Sequence, residues 1–137
     1  RTKAAVLNAD DETIHSYRIA TAAEVISYSV KDETADFFAA DITYSRTQTR
    51  FDLIVNGERY PVVTNLVGLY NVSNTLAALA AVYAVGIPLE DATKAVASLA
   101  GVTGRLEIVP GASDIGVYVD FAHSPDAMEK SASSTAT

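Results

Sequence analysis

The pair Asn56-Gly57 is the feature that most restricts the fold of this 137-residue chain. Both residues tolerate the left-handed backbone that a two-residue type I′ turn requires. In the segment before the pair, apolar and polar residues alternate, and three apolar residues fall on one face: Phe51, Leu53 and Val55. The pattern therefore predicts a hairpin of strands over 49–55 and 58–63, and an antiparallel middle for the chain.

Short apolar runs elsewhere predict further strands. They lie at 4–7, 25–29, 37–44, 106–109 and 115–121. Between the hairpin and the last two strands, an alanine-rich segment predicts a helix over 71–85, with Gly86 at its C-terminal cap and Pro88 preventing its continuation. A second helix is predicted over 89–99. The sequence therefore predicts an α/β fold.

Two further helix starts are predicted from capping residues. Asp10 or Asp11 can cap a helix that runs to about Ile19. Ser124 can cap another helix, with Pro125 at its first position, where a missing N–H is not needed.

Composition excludes several classes of function. A net charge of −7 argues against nucleic acid, because phosphate binding needs clustered Lys and Arg. The chain has no cysteine, which excludes disulfides and thiolate metal sites, and its two histidines lack zinc spacing. No apolar run is long enough to span a membrane, and the start does not read as a signal peptide. We therefore expect a cytoplasmic protein that binds neither nucleic acid nor membrane.

Asn71 and Asn74 are three positions apart at the start of the alanine-rich helix, so both amides fall on one side. An amide donates and accepts at once, which matches the edge of adenine. The alternative is helix capping, for which asparagine is a favoured residue. The residues alone leave both interpretations open.

Three other residues are candidates for a nucleotide site. Arg105, in the pair Gly104-Arg105, can make a two-pronged contact with phosphate, or it is a solvated surface residue. Asp120 follows an apolar strand, at the edge of an α/β sheet where ligands collect, and its carboxylate can accept both ribose hydroxyls. His123 lies in the same turn. The alternative is that this turn only satisfies its own backbone.

The pair Asp10-Asp11 also follows a strand. Two carboxylates there can hold a metal ion or a substrate amine. Helix capping explains the pair as well, and we favour it. No catalytic residue and no metal ligand is assigned within the chain.

Placed in order, four segments resemble motifs of the Mur ligase family. They are Asn8–Asp11, Gly68–Asn74 with the alanines that follow, Gly104-Arg105, and Asp120–Asp126 with Phe121 in place of tyrosine. The last segment and Tyr70 resemble the family member that adds the third amino acid, diaminopimelate or lysine, to UDP-N-acetylmuramoyl-L-Ala-D-Glu. That reaction belongs to peptidoglycan synthesis, and hence to cell wall biogenesis, cell shape and cell division. It uses ATP and Mg²⁺ and passes through an acyl phosphate.

The resemblance implies roles for the candidate residues. Asn71 and Asn74 would lie at the adenine, with Asn74 the closer, and Arg105 would approach the phosphates. Asp120 would hold the ribose, and His123 would line the nucleotide cleft. The family's phosphate loop and metal ligands match nothing in this sequence, so we expect the Mg²⁺ ligands to lie outside it and this segment alone to be inactive.

The resemblance also implies a division of the chain. Residues 1–103 would be the C-terminal part of the central ATP-binding domain, with β-hairpins and two helices. Residues 104–137 would begin a Rossmann-like C-terminal domain with its first strand, turn and helix. We expect a monomer whose substrates are the UDP-muramoyl dipeptide and an amino acid. Two alternatives stay open: a folylpolyglutamate or cyanophycin-type ligase, and a non-catalytic α/β interaction module.

Overall fold

The structure is a computed structural model that describes residues 4–104, 107–109, 117–125, 127–129 and 132. In this part of the chain, five strands form the main sheet: β1 Ala4–Asn8, β2 Glu24–Ser29, β3 Phe37–Tyr44, β4 Thr49–Val55 and β5 Glu58–Thr64. The described residues also form the helices α1 Ile14–Ala20, α2 Leu69–Ala84 and α3 Leu89–Ser98. Two short strands, β6 Glu107–Ile108 and β7 Tyr118–Val119, pair with each other in a second sheet.

The main sheet has the order β1-β2-β3-β4-β5, and the strand direction changes between β3 and β4. Strands β1, β2 and β3 are parallel, whereas β4 and β5 continue the sheet as an antiparallel meander. Asn56 and Gly57 have φ angles of 52° and 80°, as a type I′ turn requires. The predicted hairpin is confirmed, and the predicted bounds of β3 and β4 match those of the structure.

The hydrophobic core lies between one face of this sheet and the helices α2 and α3. The three residues predicted for the inner face of β4 are buried, and Leu53 is fully so. They pack in one cluster with residues of α2 and α3, among them Val72, Leu76, Leu79 and Leu89. The alternation in β4 therefore reports its buried face correctly.

Helix α2 ends where the sequence predicts. Gly86 has a φ of 90°, its N–H bonds the carbonyl of Tyr83, and the N–H of Ile87 bonds that of Val82. This pair of bonds is a Schellman cap, in which glycine takes the left-handed position. The predicted helices over 71–85 and 89–99 are both confirmed, α2 beginning two residues earlier than predicted.

The prediction that Asp10 or Asp11 caps α1 is wrong. The helix begins at Ile14, its N-cap residue is Thr13, and no side chain caps it by a hydrogen bond. Asp11 instead accepts bonds from the backbone N–H and the hydroxyl of Thr13, at 2.9 and 2.7 Å, and so shapes the turn before the helix. Asp10 accepts hydrogen bonds from Ser29 and Val30, at the end of β2.

The last described segments follow the predicted order. Strands β6 and β7 are antiparallel and shorter than the predicted strands, parts of which lie outside the described residues. Residues 125 and 127–129 are helical, and the Ser124 hydroxyl accepts a bond from the N–H of Ala127, which confirms the predicted cap. Among the described helices, none has the length and apolar character needed to cross a membrane.

Candidate functional site

The two asparagines of α2 take different positions. Asn71 is buried, with 4% of its surface exposed, whereas Asn74 is exposed. The Asn71 side chain donates from Nδ2 to the carbonyl of Val67 at 2.8 Å and accepts at Oδ1 from Nδ2 of Asn74 at 3.4 Å. Asn71 therefore contacts Asn74, whose side chain is exposed.

Helix capping does not explain these asparagines. The N-cap residue of α2 is Gly68, with a φ of 102°, and it makes no side-chain cap bond. Its carbonyl accepts the backbone N–H groups of Asn71 and Val72, which places Asn71 inside the first turn. The pair is thus a bonded unit near the start of the helix rather than a cap.

Asp120 and His123 lie in one turn after β7. Asp120 Oδ1 accepts the N–H of Ala122 at 2.7 Å, which closes a tight turn. His123 is exposed, and its Nδ1 lies 3.0 Å from the carbonyl of Phe121. The Phe121 and His123 rings meet edge to face, with centroids 5.2 Å apart. The turn therefore has a fixed shape that presents an imidazole to solvent.

The turn after β7 is bonded to the segment that contains Gly104. The N–H of Phe121 donates to the carbonyl of Gly104 at 2.9 Å, next to the pairing of β6 with β7. Gly104 has a φ of 73°, and a Cβ there would lie 3.8 Å from that of Phe121. Arg105 itself lies outside the described residues. The contact brings the two motifs of this region, at Gly104 and at Asp120, side by side.

A third set of polar side chains, those of Asn8, Asp10 and Ser29, lies at the carboxyl ends of β1 and β2. The hydroxyl of Ser29, a fully buried residue, donates to Asp10, whose other oxygen accepts the N–H of Val30 at 2.9 Å. Asn8 Oδ1 accepts the N–H of Asp10 at 2.9 Å. Asp10 thus holds the β1–α1 turn against the end of β2. The described part of the chain contains no group of three or more acidic, His or Cys side chains able to hold a metal ion.

Tyr28 is a residue at this edge that sequence reasoning missed. It stands opposite Asn8 in the β1–β2 register, and its carbonyl accepts the N–H of Ala9 at 2.8 Å. Burial raises the pKa of the Tyr28 phenol, a hydrogen bond from Ser73 opposes that shift, and the nearby carboxylates of Asp10 and Asp11 add to it. Tyr28 therefore lies at the end of β2, opposite the residue at which the Asn8–Asp11 turn begins.

The described contacts divide the candidate nucleotide-binding residues into two groups. Asn71 and Asn74 form one group at the start of α2; Asp120 and His123 form the other, beside Gly104. A tyrosine inside an apolar strand is typical of a core residue. The position of Tyr28 opposite Asn8 becomes apparent only from the register of β1 with β2. The convergence of the two groups on one ligand stays a prediction.

Comparison with known proteins identifies the family of the chain. Residues 1–82 match the family model described as the Mur ligase middle domain. The chain is 42% identical over 129 residues to the UDP-N-acetylmuramoyl-L-alanyl-D-glutamate--2,6-diaminopimelate ligase of Bacillus cereus, covering 94% of this chain and 26% of the relative. It is 40% identical over 130 residues to the corresponding L-lysine ligase of Staphylococcus aureus, covering 95% of this chain and 26% of the relative. The chain thus spans about a quarter of the length of these curated relatives.

The fold agrees as well. A solved UDP-N-acetylmuramoyl-L-alanyl-D-glutamate--2,6-diaminopimelate ligase superposes with a TM-score of 0.77 at 32% identity, over 96% of this chain and 28% of that one. The α/β fold predicted for the central domain, with β-hairpins and two helices, is confirmed, and its sheet also contains the parallel strands β1, β2 and β3. Because the family model matches more than half of the residues, the chain belongs to the Mur ligase family.

Proposed function

We propose that this chain is part of an ATP-dependent ligase that adds diaminopimelate or lysine to UDP-N-acetylmuramoyl-L-Ala-D-Glu in peptidoglycan synthesis. Relatives about 40% identical over nearly the whole chain have these two activities in their names, which supports the proposal. They share the substrate and differ in the amino acid, so both amino acids stay in the proposal.

The observation that carries the proposal is the pair Asn71 and Asn74. A buried amide that orients an exposed one is the arrangement expected for recognition of a purine edge, since its donor and acceptor are held in place before the ligand arrives. A helix that only needed a stable start would not require two bonded amides in its first turns. The exposed Asn74 is therefore the proposed contact with adenine.

The other candidates would act on the rest of the nucleotide. Asp120 would accept the ribose hydroxyls, His123 would line the cleft, and Arg105 would approach the phosphates. In the proposed reaction the γ-phosphoryl group of ATP passes to the terminal carboxylate of the dipeptide, and the amine of the incoming amino acid displaces phosphate from that acyl phosphate. The residues of this chain would hold the nucleotide in position for the transfer.

Magnesium would neutralise charge on the phosphates in such a reaction. Its ligands are expected outside this chain, because the phosphate loop and metal ligands of the family match nothing in the sequence. We also propose that residues 1–103 belong to the ATP-binding domain and 104–137 to the next domain. The proposed protein is a cytoplasmic monomer.

Two alternatives make different predictions. A folylpolyglutamate or cyanophycin-type ligase would use ATP with another acceptor, and the roughly 40% identity to muramoyl ligases argues against it. A non-catalytic α/β module would lose stability on substitution of the site residues without any effect on nucleotide.

The test uses the full-length protein that contains this chain. Its release of phosphate from ATP is measured with the UDP-muramoyl dipeptide and either amino acid. Asn74→Ala and Asp120→Ala are each expected to raise the KM for ATP by about tenfold, as loss of a good hydrogen bond to a ligand does. Asn56→Gly and Asp91→Ala are matched controls, because both residues are exposed and lie elsewhere. Activity only with a folate substrate, or unchanged KM values, would overturn the proposal.

A further inference from the structure

The Asn56-Gly57 turn is a part of the sheet that the proposed function does not use. Both residues are exposed, at the point where β4 is followed by β5. Among the described residues, none is hydrogen-bonded to the side-chain amide of Asn56 or to the N–H of Gly57. The amide and the nitrogen that follows it in the chain are therefore both available for a reaction with each other.

The same two groups are bonded at Asn8 and at Asn65. The Asn8 side chain accepts an N–H at 2.9 Å, and the Asn65 side chain donates at 2.6 Å to a carbonyl at the end of α3. The following N–H groups are bonded as well: that of Ala9 donates to a β2 carbonyl at 2.8 Å, and that of Leu66 donates to the Thr64 hydroxyl at 3.1 Å. Either asparagine must lose hydrogen bonds before its amide can meet the next nitrogen.

The two asparagines of α2 are bonded in the same way. The side chains of Asn71 and Asn74 are bonded to each other at 3.4 Å. The N–H of Val72 donates to the carbonyl of Gly68 at 3.2 Å, and Thr75 lies inside the helix, where each N–H bonds the carbonyl four residues earlier. Of the five asparagines in the sequence, only Asn56 has both groups unbonded.

We propose that Asn56 is a site of spontaneous deamidation. The Gly57 nitrogen loses its proton and attacks the side-chain carbon Cγ of Asn56. The new C–N bond closes a succinimide ring, and Nδ2 takes up a proton and leaves as ammonia. Water then adds to one of the two ring carbonyl carbons and opens the ring, which gives aspartate or isoaspartate at position 56. Water is the only co-reactant, and no group is oxidised or reduced.

The turn has room for this ring. Gly57 has no side chain, and even a Cβ added there would meet no atom within 4 Å. Closing the ring rotates the backbone of Asn56, so the turn has to open locally. A turn at the exposed end of a hairpin opens at a lower free energy than the core strands do, because few buried contacts are lost.

The two products differ in their effect on the hairpin. Aspartate tolerates the left-handed φ of 52° at position 56, so it keeps the turn. Isoaspartate adds a carbon to the main chain, and the lengthened segment no longer fits a two-residue type I′ turn. The pairing of Val55 with Glu58 must then shift, and Val55 is part of the hydrophobic core. Isoaspartate should therefore lower the stability of the sheet.

The test follows each asparagine of the full-length protein that contains this chain. The protein is incubated at mildly alkaline pH, folded and in urea, and peptide mass spectrometry measures the conversion of amide to acid. The ratio of the two rates removes the effect of the following residue type. Folding should slow Asn56 by less than about tenfold and each other asparagine by more than that, since those must first break hydrogen bonds. Slowing of Asn56 by more than about tenfold overturns the proposal.

Asn74 is the internal control, because it is exposed like Asn56 but lies in a helix. If folding slows Asn74 as little as Asn56, exposure alone explains the rate, and the argument from the unbonded N–H is wrong. Asn56→Gly is the matched variant, because a Gly-Gly pair also forms type I′ turns. It should form no isoaspartate at position 56, as detected with an isoaspartyl methyltransferase, and should keep its melting temperature during incubation. If this variant fails to fold, the rate ratios of the wild type decide.

Discussion

Ser29 donates a hydrogen bond to Asp10 across 19 residues of sequence, and this bond ties the carboxyl ends of two neighbouring parallel strands. Asp10 receives a second bond from the N–H of Val30, and the Ser29 hydroxyl itself accepts the N–H groups of Lys31 and Asp32. The two turns after β1 and β2 are therefore one bonded unit. Their shape depends on a single carboxylate.

The first prediction concerns that carboxylate. Asp10→Ala removes two bonds to a charged group and leaves the buried hydroxyl of Ser29 without its acceptor, so it should lower the free energy of unfolding by about 1.5–3 kcal/mol. Urea unfolding followed by circular dichroism measures the change. Asp91→Ala, at an exposed residue in the first turn of α3, is the control and should change stability by less than about 1 kcal/mol. Equal effects of the two variants would contradict the role of Asp10.

The second prediction separates Asn71 from Asn74. Asn71→Ala removes a buried bond to the Val67 carbonyl and should cost about 1–3 kcal/mol of stability, as well as weakening ATP binding. Asn74→Ala removes an exposed amide, so it should weaken ATP binding with a change in stability below about 0.5 kcal/mol. Urea unfolding and the KM for ATP, measured on both variants, give this contrast. An Asn71→Ala variant with an unchanged KM for ATP would argue against the positioning of Asn74 by Asn71.

The third prediction concerns the cap of α2. Gly86 has a φ of 90° and open space where a Cβ would point, so Gly86→Ala meets no neighbouring atom and its cost comes from the backbone. An L-residue in this conformation is destabilised by about 1–2 kcal/mol. Gly86→Asn should cost less, because asparagine tolerates the left-handed region. Thermal unfolding of both variants checks the order; an alanine variant as stable as wild type would contradict the Schellman cap.

The fourth prediction is an alkaline titration. The hydrogen bond that the Tyr60 phenol donates to Glu58 raises the pKa of Tyr60 to about 12. A raised pKa stabilises the folded state below the ordinary tyrosine value of about 10, and this contribution is lost as the pH rises toward 12. Absorbance at alkaline pH should show a tyrosine that loses its proton at a higher pH than an ordinary tyrosine does. This transition should be absent in Tyr60→Phe. In Glu58→Gln it should titrate earlier, and an unchanged curve there would refute the effect of Glu58.

The local patterns predicted most of the fold. Alternation marked both faces of β4, Asn-Gly marked the turn, and Gly86 with Pro88 marked the end of α2, because each of these signals depends only on neighbouring residues. The parallel pairing of β1, β2 and β3 needed contacts between distant segments, which no local pattern contains. The sequence therefore indicated the elements better than their arrangement.

The candidate site shows the same limit. An aspartate after a strand suits a helix cap and a bridge between strands equally well, and only the position of Ser29 decides for Asp10. Helical spacing puts Asn71 and Asn74 on one side, but the burial of Asn71 depends on the carbonyl of Val67. No local signal indicates that Tyr28 stands opposite Asn8, because that register depends on the pairing of β1 with β2.

The change of strand direction between β3 and β4 has a consequence for the order in which the sheet folds. Strand β4 pairs with β5 across a two-residue turn, whereas β1 pairs with β2 only after a crossover that contains α1. Closing the long connection costs more chain entropy, so we expect the hairpin to form early in refolding and the parallel strands to join it later. The edge that presents the Asp10 turn and Tyr28 would then be the last part of the sheet to become ordered.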